Sequence, residues 1–134
     1  MCFLKYSGWR RVMTEHRNEK GELHRVDGPA YERADGGYRE WYLNGERHRV
    51  DGPAMEWANG SRSWWVEGKL HRVDGPAMEW ANGGREWRVE GELHRVDGPA
   101  YERADGGYRE WYLNGKFIKS EGEFVKSEHV KEKE

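Results

Sequence analysis

Short apolar and aromatic runs, each closed by a glycine-rich break, dominate the pattern along this chain. A brief run after a proline, Tyr31 to Arg33 or Met55 to Trp57, leads through a turn into a longer aromatic run, Tyr38 to Leu43 or Arg62 to Val66. Paired runs of this composition, bounded by Gly, Asp and Asn, predict a β-hairpin. A glycine then marks the exit from each unit. The phrase His-Arg-Val-Asp-Gly-Pro-Ala begins at His24, His48, His71 and His94, at spacings of 24, 23 and 23 residues, and takes in all four prolines. A fixed period of this length is the signature of a repeat architecture. Residues 21–45 and 91–115 are the same string, GELHRVDGPAYERADGGYREWYLNG, and the second and third units share HRVDGPAMEWANG. Copies this alike point to recent duplication or design.

Turn composition sets the expected register. Asn59-Gly60 and Asn82-Gly83 suit a two-residue type I′ loop, in which both central residues take positive φ. The Asp35-Gly36-Gly37 and Asp105-Gly106-Gly107 loops absorb the extra residue of the longer units in a glycine bulge, so no strand slips by one position and turns its side chains over. With those loops Tyr31 is expected opposite Trp41, Met55 opposite Trp64, Met78 opposite Trp87 and Tyr101 opposite Trp111. One face then collects these tryptophans with Leu43, Val66, Val89, Leu113, Trp57 and Trp80, and Arg39, Arg62, Arg85 and Arg109 stand beside the rings. The other face collects Glu32, Glu56, Glu79 and Glu102, with Glu40, Glu86 and Glu110, around one column that varies: Tyr42, Trp65, Arg88 and Tyr112. Columns that repeat unchanged serve what every unit needs, so the varying column on this acidic, aromatic face is the expected contact surface for a partner. On this reading Trp64→Ala costs about 3 to 5 kcal/mol if the ring is fully buried.

Composition narrows the function classes. The 134 residues suffice for one compact domain or one short array, which sets aside a multidomain enzyme. Charged residues at 36% against 35% hydrophobic would on their own suggest disorder, but 8 Trp and 7 Tyr argue for an ordered, surface-rich fold. With 23 basic and 25 acidic side chains there is no basic footprint for a phosphate backbone, so direct nucleic-acid binding is not expected. Cys2 has no second cysteine to pair with, and Met1 to Lys5 is too short and too charged for a signal peptide or membrane span. A reduced, soluble, cytoplasmic protein is the expectation.

The frame GPA-x-E-x-x-x-G-x-x-x-W-x-x-x-G-x-x-H, written out in the second unit as GPAMEWANGSRSWWVEGKLH, resembles the MORN repeat, in particular the DGPA-bearing variant seen in bacterial, phage and giant-virus proteins. The resemblance spans residues 21–116. It implies hairpins stacked into an elongated, twisted, single-layer antiparallel sheet. The chain departs from the usual motif in having His24-Arg25 where that motif has His-Gly, and Asp-Gly-Pro-Ala in place of a less constrained loop. Family resemblance also implies roles in scaffolding, dimerisation, partner binding or contact with acidic lipids. Bacterial relatives resemble antitoxin or immunity components, and small phage proteins often block a host protein. Fold and function are separate inferences here.

Chemical alternatives are weaker. Four His-x-x-Asp pairs, from His24 and Asp27 to His94 and Asp97, have the residue types of acid-base or metal chemistry. Equivalent residues of successive hairpins lie two strands apart, about 9 to 10 Å, whereas ligands of one zinc sit about 2 Å from it. The pairs are therefore expected to hold the inter-hairpin turn, with Asp accepting from nearby backbone N–H groups. The Glu32, Glu56, Glu79 and Glu102 ladder has the carboxylate spacing of an inverting glycosidase, but identical positions on an open sheet give neither the asymmetry nor the pocket that splits two pKa values. Ser7, Ser61, Ser63 and Cys2 have no base in a recognisable motif. No catalytic residue, metal site or cofactor is expected. Arg and Trp interleaving resembles a stacking platform for nucleotides, yet the neighbouring Glu residues would repel phosphate, and intramolecular Arg–Trp stacking is the simpler reading. An acidic aromatic face would instead attract a basic surface, including the groove of a nucleic-acid-binding protein.

The expected organisation is an N-terminal capping segment at 1–20, four hairpin units at 21–116 (24–46, 47–69, 70–92 and 93–116), and a C-terminal helix or charged tail at 117–134. Phe3, Leu4, Tyr6, Trp9 and Val12 supply a capping strand or two. Ser120 and Glu123 fit a capping box ahead of Phe124, Val125 and Val130. The overall expectation is an all-β, elongated single-layer sheet that binds another protein as a small phage or bacterial inhibitor, antitoxin-like factor or scaffold. A homodimer would cover its apolar face or its last edge. A binder of nucleotides or anionic headgroups, and a purely structural or designed array, are the competing readings.

Overall fold

The structure, a computed structural model, describes residues 13–123. Within these residues sixteen strands follow one another. The first five are β1 (Met13–Glu15), β2 (Tyr31–Arg33), β3 (Arg39–Glu40), β4 (Tyr42–Leu43) and β5 (Glu46–Arg47). The next unit gives β6 (Met55–Glu56), β7 (Arg62–Ser63), β8 (Trp65–Val66) and β9 (Lys69–Leu70), and its successor β10 (Met78–Glu79), β11 (Arg85–Glu86), β12 (Arg88–Val89) and β13 (Glu92–Leu93). The last are β14 (Tyr101–Glu102), β15 (Tyr108–Leu113) and β16 (Lys116–Gly122). Ten of them form one antiparallel meander in the order β1-β2-β3-β6-β7-β10-β11-β14-β15-β16, and β4-β5, β8-β9 and β12-β13 form three small hairpins beside it. The fold is all-β, with one elongated sheet of consecutive hairpins and no helix among the described residues.

Each unit therefore holds two hairpins, not one. The aromatic run breaks at its tryptophan: Trp41 donates its N–H to Ala54 O of the next unit, and its carbonyl accepts from His48 N. Before the break the strand joins the long sheet; after it the chain turns back at once. That second turn carries two consecutive positive φ values at Asn44-Gly45 (48° and 84°), Glu67-Gly68 (50° and 80°), Glu90-Gly91 (54° and 86°) and Asn114-Gly115 (48° and 79°). These are the type I′ turns. They sit where the sequence pattern suggested only an exit.

The first turn of each unit is one residue longer than its composition suggests. Trp57 N–H donates to Ser61 O across Ala58 to Gly60, with Gly60 at φ 96° as the bulge residue. The Asn59 side chain accepts from Ser61 N–H and locks the loop. In the longer unit Arg33 N–H reaches Tyr38 O across Ala34 to Gly37, and Asp35 accepts from Gly37 N–H. The extra residue of the 24-residue units is thus held in the loop, and the strands stay aligned from unit to unit.

The longer turns overturn the expected pairing by one residue. Tyr31 lies opposite Glu40, Met55 opposite Ser63, Met78 opposite Glu86 and Tyr101 opposite Glu110, not opposite the tryptophans. A one-residue change of register exchanges faces. Glu32, Glu56, Glu79 and Glu102 consequently stand opposite Arg39, Arg62, Arg85 and Arg109 on the tryptophan side. Tyr31, Met55, Met78 and Tyr101 move to the other side.

Units dock through the alanine of each Gly-Pro-Ala. Ala30, Ala54, Ala77 and Ala100 are completely buried. Each donates its N–H within its own hairpin and offers its carbonyl to the preceding unit, as Ala77 does to Glu86 O and from Trp64 N–H. The ends of the array imitate a unit. At the start, His16 takes the tryptophan place, donating to Ala30 O and accepting from His24 N–H. At the finish, β16 replaces the next unit by one continuous strand along β15, with a bulge that leaves Ile118 unpaired, and Ser120 lies within it opposite Glu110. Ser120 is therefore a strand residue, not a helix cap; the remainder of the expected helix, and the expected N-terminal cap through Val12, lie outside the described residues.

Glu67 and Glu90 occupy the left-handed position that Asn44 and Asn114 fill in the other units. Asn tolerates that region better than Glu. Glu67→Asn is expected to raise stability by about 0.5 to 1 kcal/mol, read as a higher denaturant midpoint at unchanged slope; a lower midpoint would mean the Glu side chain contributes to the turn.

Candidate interaction faces

On the tryptophan side each ring lies between two cations. Trp64 has the Arg72 guanidinium carbon 3.9 Å from its ring centre and that of Arg62 at 5.5 Å. Glu79 binds both arginines, at 2.6 Å to Arg62 and 3.5 Å to Arg72. The same clasp holds Trp41 between Arg39 and Arg49 with Glu56, and Trp87 between Arg85 and Arg95 with Glu102. At the C-terminal end Lys119 lies 4.5 Å over Trp111, and Glu121 bonds Arg109 at 3.0 Å. At the N-terminal end Arg25 approaches His16 Nε2 at 3.2 Å. Burial, reinforced by the Arg25 charge, lowers the pKa of His16.

The His-Arg-Val-Asp-Gly-Pro-Ala phrase builds this clasp. Arg72 donates Nε to Asp74 at 3.0 Å and Nη1 to Pro76 O at 3.1 Å. A Cβ at Gly75 would stand 2.8 Å from the Arg72 guanidinium carbon, so only glycine leaves room for the stacked side chain. Asp27, Asp51, Asp74 and Asp97 each accept from the arginine two residues earlier, which corrects the expectation that they bond mainly to backbone N–H groups. The Arg25 hydrogen bond and charge lower the pKa of Asp27. The histidines reach forward to the second turn of their own unit: His24, His48, His71 and His94 accept at Nδ1 from the N–H of Asn44, Glu67, Glu90 and Asn114. An Nδ1 that accepts leaves the ring proton on Nε2.

The other side is built on tyrosine, tryptophan and buried acid. Glu40, 8% exposed, accepts from the Tyr38 hydroxyl, and Tyr42 bonds to it as well. Burial and then the Glu40 hydrogen bond raise the pKa of Tyr38, and push that of Tyr42 up to about 12. Arg47 lies between columns, 5.7 Å from the Tyr42 ring and 5.0 Å from that of Trp65. Trp57 packs at 6.2 Å against Tyr38. Side-chain sizes are complementary here: the small Ser61 and Gly84 follow Trp57 and Trp80, while Tyr38 and Tyr108 follow Arg33 and Arg103.

The eight residues expected to form one contact face are divided between two. Tyr42, Trp65, Arg88 and Tyr112 do share a side. Each is half-buried and bonded to the residue two places earlier: Trp65 Nε1 donates to Ser63 Oγ at 2.7 Å, Arg88 Nε to Glu86 at 2.7 Å, and Tyr112 to Glu110 at 3.2 Å. The column varies in step with its supports. Glu32, Glu56, Glu79 and Glu102 stand on the opposite side, and Glu56, Glu79 and Glu102 are each shared by two arginines. The acidic surface that a basic partner would meet is therefore not formed by this ladder. Arg47 also lies on this side, against the Tyr42 and Trp65 rings; the sequence signals it by placing one arginine where the other units have Leu23, Leu70 and Leu93.

Sandwiching the rings also changes what the tryptophans can bind. Trp41, Trp64 and Trp87 each have one guanidinium carbon 3.8–3.9 Å from the ring centre and a second at 5.5–5.7 Å, so part of the stacking capacity of each ring is taken up inside the protein. Among the described residues no three His, Cys, Asp or Glu side chains gather as a metal-binding group, and no helix is long and apolar enough to cross a membrane. No protein-family model matches the chain, and no curated protein and no solved structure matches it.

Two outcomes follow from this geometry. Trp64 is half-buried, so Trp64→Ala is expected to cost about 2 kcal/mol, below the about 3 to 5 of a fully enclosed ring, measured by chemical denaturation. Tyr42 is held neutral in the folded chain up to about pH 12, whereas an unfolded tyrosine ionises near pH 10. Its contribution is full below about pH 10 and is lost as pH rises through about 12. Thermal midpoints should fall across that window, and Tyr42→Phe should flatten the fall; an identical pH profile in the variant would remove Tyr42 as its source.

Proposed function

We propose that this chain is a MORN-like hairpin array whose work is to bind another protein, without catalysis, through the side that carries Tyr42, Trp65, Arg88 and Tyr112. The carrying observation is the half-exposed aromatic row, Tyr38, Trp57, Trp65 and Trp80, on an open sheet whose neighbouring charges are already paired within the protein. Aromatic side chains with a polar handle provide contact area at small entropic cost, and interface cores are enriched in them.

Pairing of the charges changes the kind of partner that fits. Glu40, Glu86 and Glu110 bond to Tyr38, Arg88 and Tyr108 on their own face. Attraction of a basic groove is thus a weaker basis for recognition than shape and apolar contact. A small inhibitor or antitoxin-like role of phage or bacterial type agrees with the MORN-like frame, and a cytoplasmic setting agrees with the single cysteine.

Native mass spectrometry of the tagged protein, recovered from a nuclease-treated bacterial lysate, tests this reading. The wild type is expected to carry a stoichiometric protein mass that the Trp65→Ala/Tyr112→Ala variant loses, with a thermal midpoint within a few degrees of wild type. Binding that survives both substitutions, or a small anionic mass retained in place of a protein, would sink it.

A further inference from the structure

Of the seven residues in the repeated phrase, six have a task inside the protein. Histidine accepts a turn N–H, arginine stacks on tryptophan, aspartate bonds the arginine, glycine leaves it room, proline offers it a carbonyl, and alanine is the buried docking point. The valine does none of these. Val26, Val50, Val73 and Val96 are 81–84% exposed. An apolar side chain held out to solvent in every unit forms a row, and a row of this kind marks an interaction surface.

Grooves run between successive valines on the tryptophan side. One, about 510 Å³, is lined by Val50, Pro53, Trp64, Val66 and Val73; the next, about 740 Å³, by Val73, Pro76, Trp87, Val89 and Val96. Beside them stands a row of carboxylates, Asp27, Asp51, Asp74 and Asp97, with side chains 82–87% exposed. The arginine takes Oδ1 of each.

The pitch of this surface selects its occupant. Equivalent residues recur every two strands, about 9.4 to 9.8 Å. A polyproline II segment repeats every three residues at about 3.1 Å each, or about 9.3 Å. An extended strand presents one side about every 6.7 Å, and an α-helix returns after seven residues at about 10.5 Å. Over the three steps between Val26 and Val96 only the polyproline II repeat stays in phase. We propose that the valine row and its grooves form a track for a basic, proline-rich segment in the polyproline II conformation, lying along the array with an apolar side chain at every third position and Lys or Arg toward the aspartates. This site is on the side opposite Trp65 and Tyr112 and does not depend on the contact face proposed above.

Fluorescence anisotropy with a labelled peptide of four Leu-Pro-Arg triplets, titrated with the full chain, provides the test. A permuted peptide of the same composition, without the three-residue period, is the control. The periodic peptide is expected to bind at least tenfold more tightly than the permuted one. Val50→Ser/Val73→Ser/Val96→Ser should lose at least tenfold of that affinity at an unchanged thermal midpoint, and Trp65→Ala/Tyr112→Ala should bind as wild type. Equal affinity for the two peptides would mean attraction by charge alone and overturn the proposal. So would no binding, or binding unaffected by the valine substitutions. A self-association seen in wild type and abolished in the valine variant would assign the row to a second copy of the chain and overturn it too.

Discussion

The structure depends on a tryptophan held between two arginines that share one glutamate. A one-layer sheet cannot enclose a conventional core, and the fully buried apolar residues among the described residues are four alanines, with Met55 nearly so. Cohesion between units comes instead from the clasp. Arg72, from one unit, stacks on Trp64 of the unit before it and bonds Glu79 of its own hairpin, while Glu79 bonds back to Arg62. Cation–π contacts of this sort contribute about 0.5 to 2 kcal/mol each according to their exposure. Repetition, not depth, makes the sum adequate, as expected of an array stabilised by nearest-neighbour interfaces.

Both ends preserve the clasp with different residues. His16 stands where a tryptophan would, with Arg25 against it. Lys119 covers Trp111, and Glu121 takes the place of Glu56, Glu79 and Glu102 against Arg109. Lys119 and Glu121 are two residues apart in one strand, whereas Arg72 and Glu79 are separated by the whole Val-Asp-Gly-Pro-Ala loop. The last strand can therefore close the array without a loop of its own. It leaves Phe117 and Ile118 more than half exposed along that edge.

Much of the architecture was legible in the sequence because each repeated residue type is tied to one local task. The period, the glycine and asparagine turns and the Arg–Trp adjacency predicted stacked hairpins with arginine beside each ring, and the sheet has them. The register was not legible, since Asn59-Gly60 reads equally as a two-residue turn or as the last two residues of a three-residue bulged loop. That single residue moved the Glu56 ladder to the arginine side and divided the expected contact set. The second hairpin was hidden for a related reason. Two of its four turns, Glu67-Gly68 and Glu90-Gly91, lack the Asn of the other two, and in the first three units its strands have only two residues each.

A seam made from the same residues at every junction has a consequence for assembly of the fold. The segments 21–45 and 91–115 are identical, so either could dock in the other's place with every arginine, tryptophan and alanine satisfied. Of the paired differences, Trp65 with Ser63, Arg88 with Glu86 and Trp80 beside Gly84 lie within single units and travel with them, whereas Arg47 spans a junction, between Tyr42 and Trp65. Arg47 is therefore the one of these differences that marks which unit its neighbour is. The other seam contacts are alike at every junction, so pairing out of order competes with the native pairing as a chain built from copies folds.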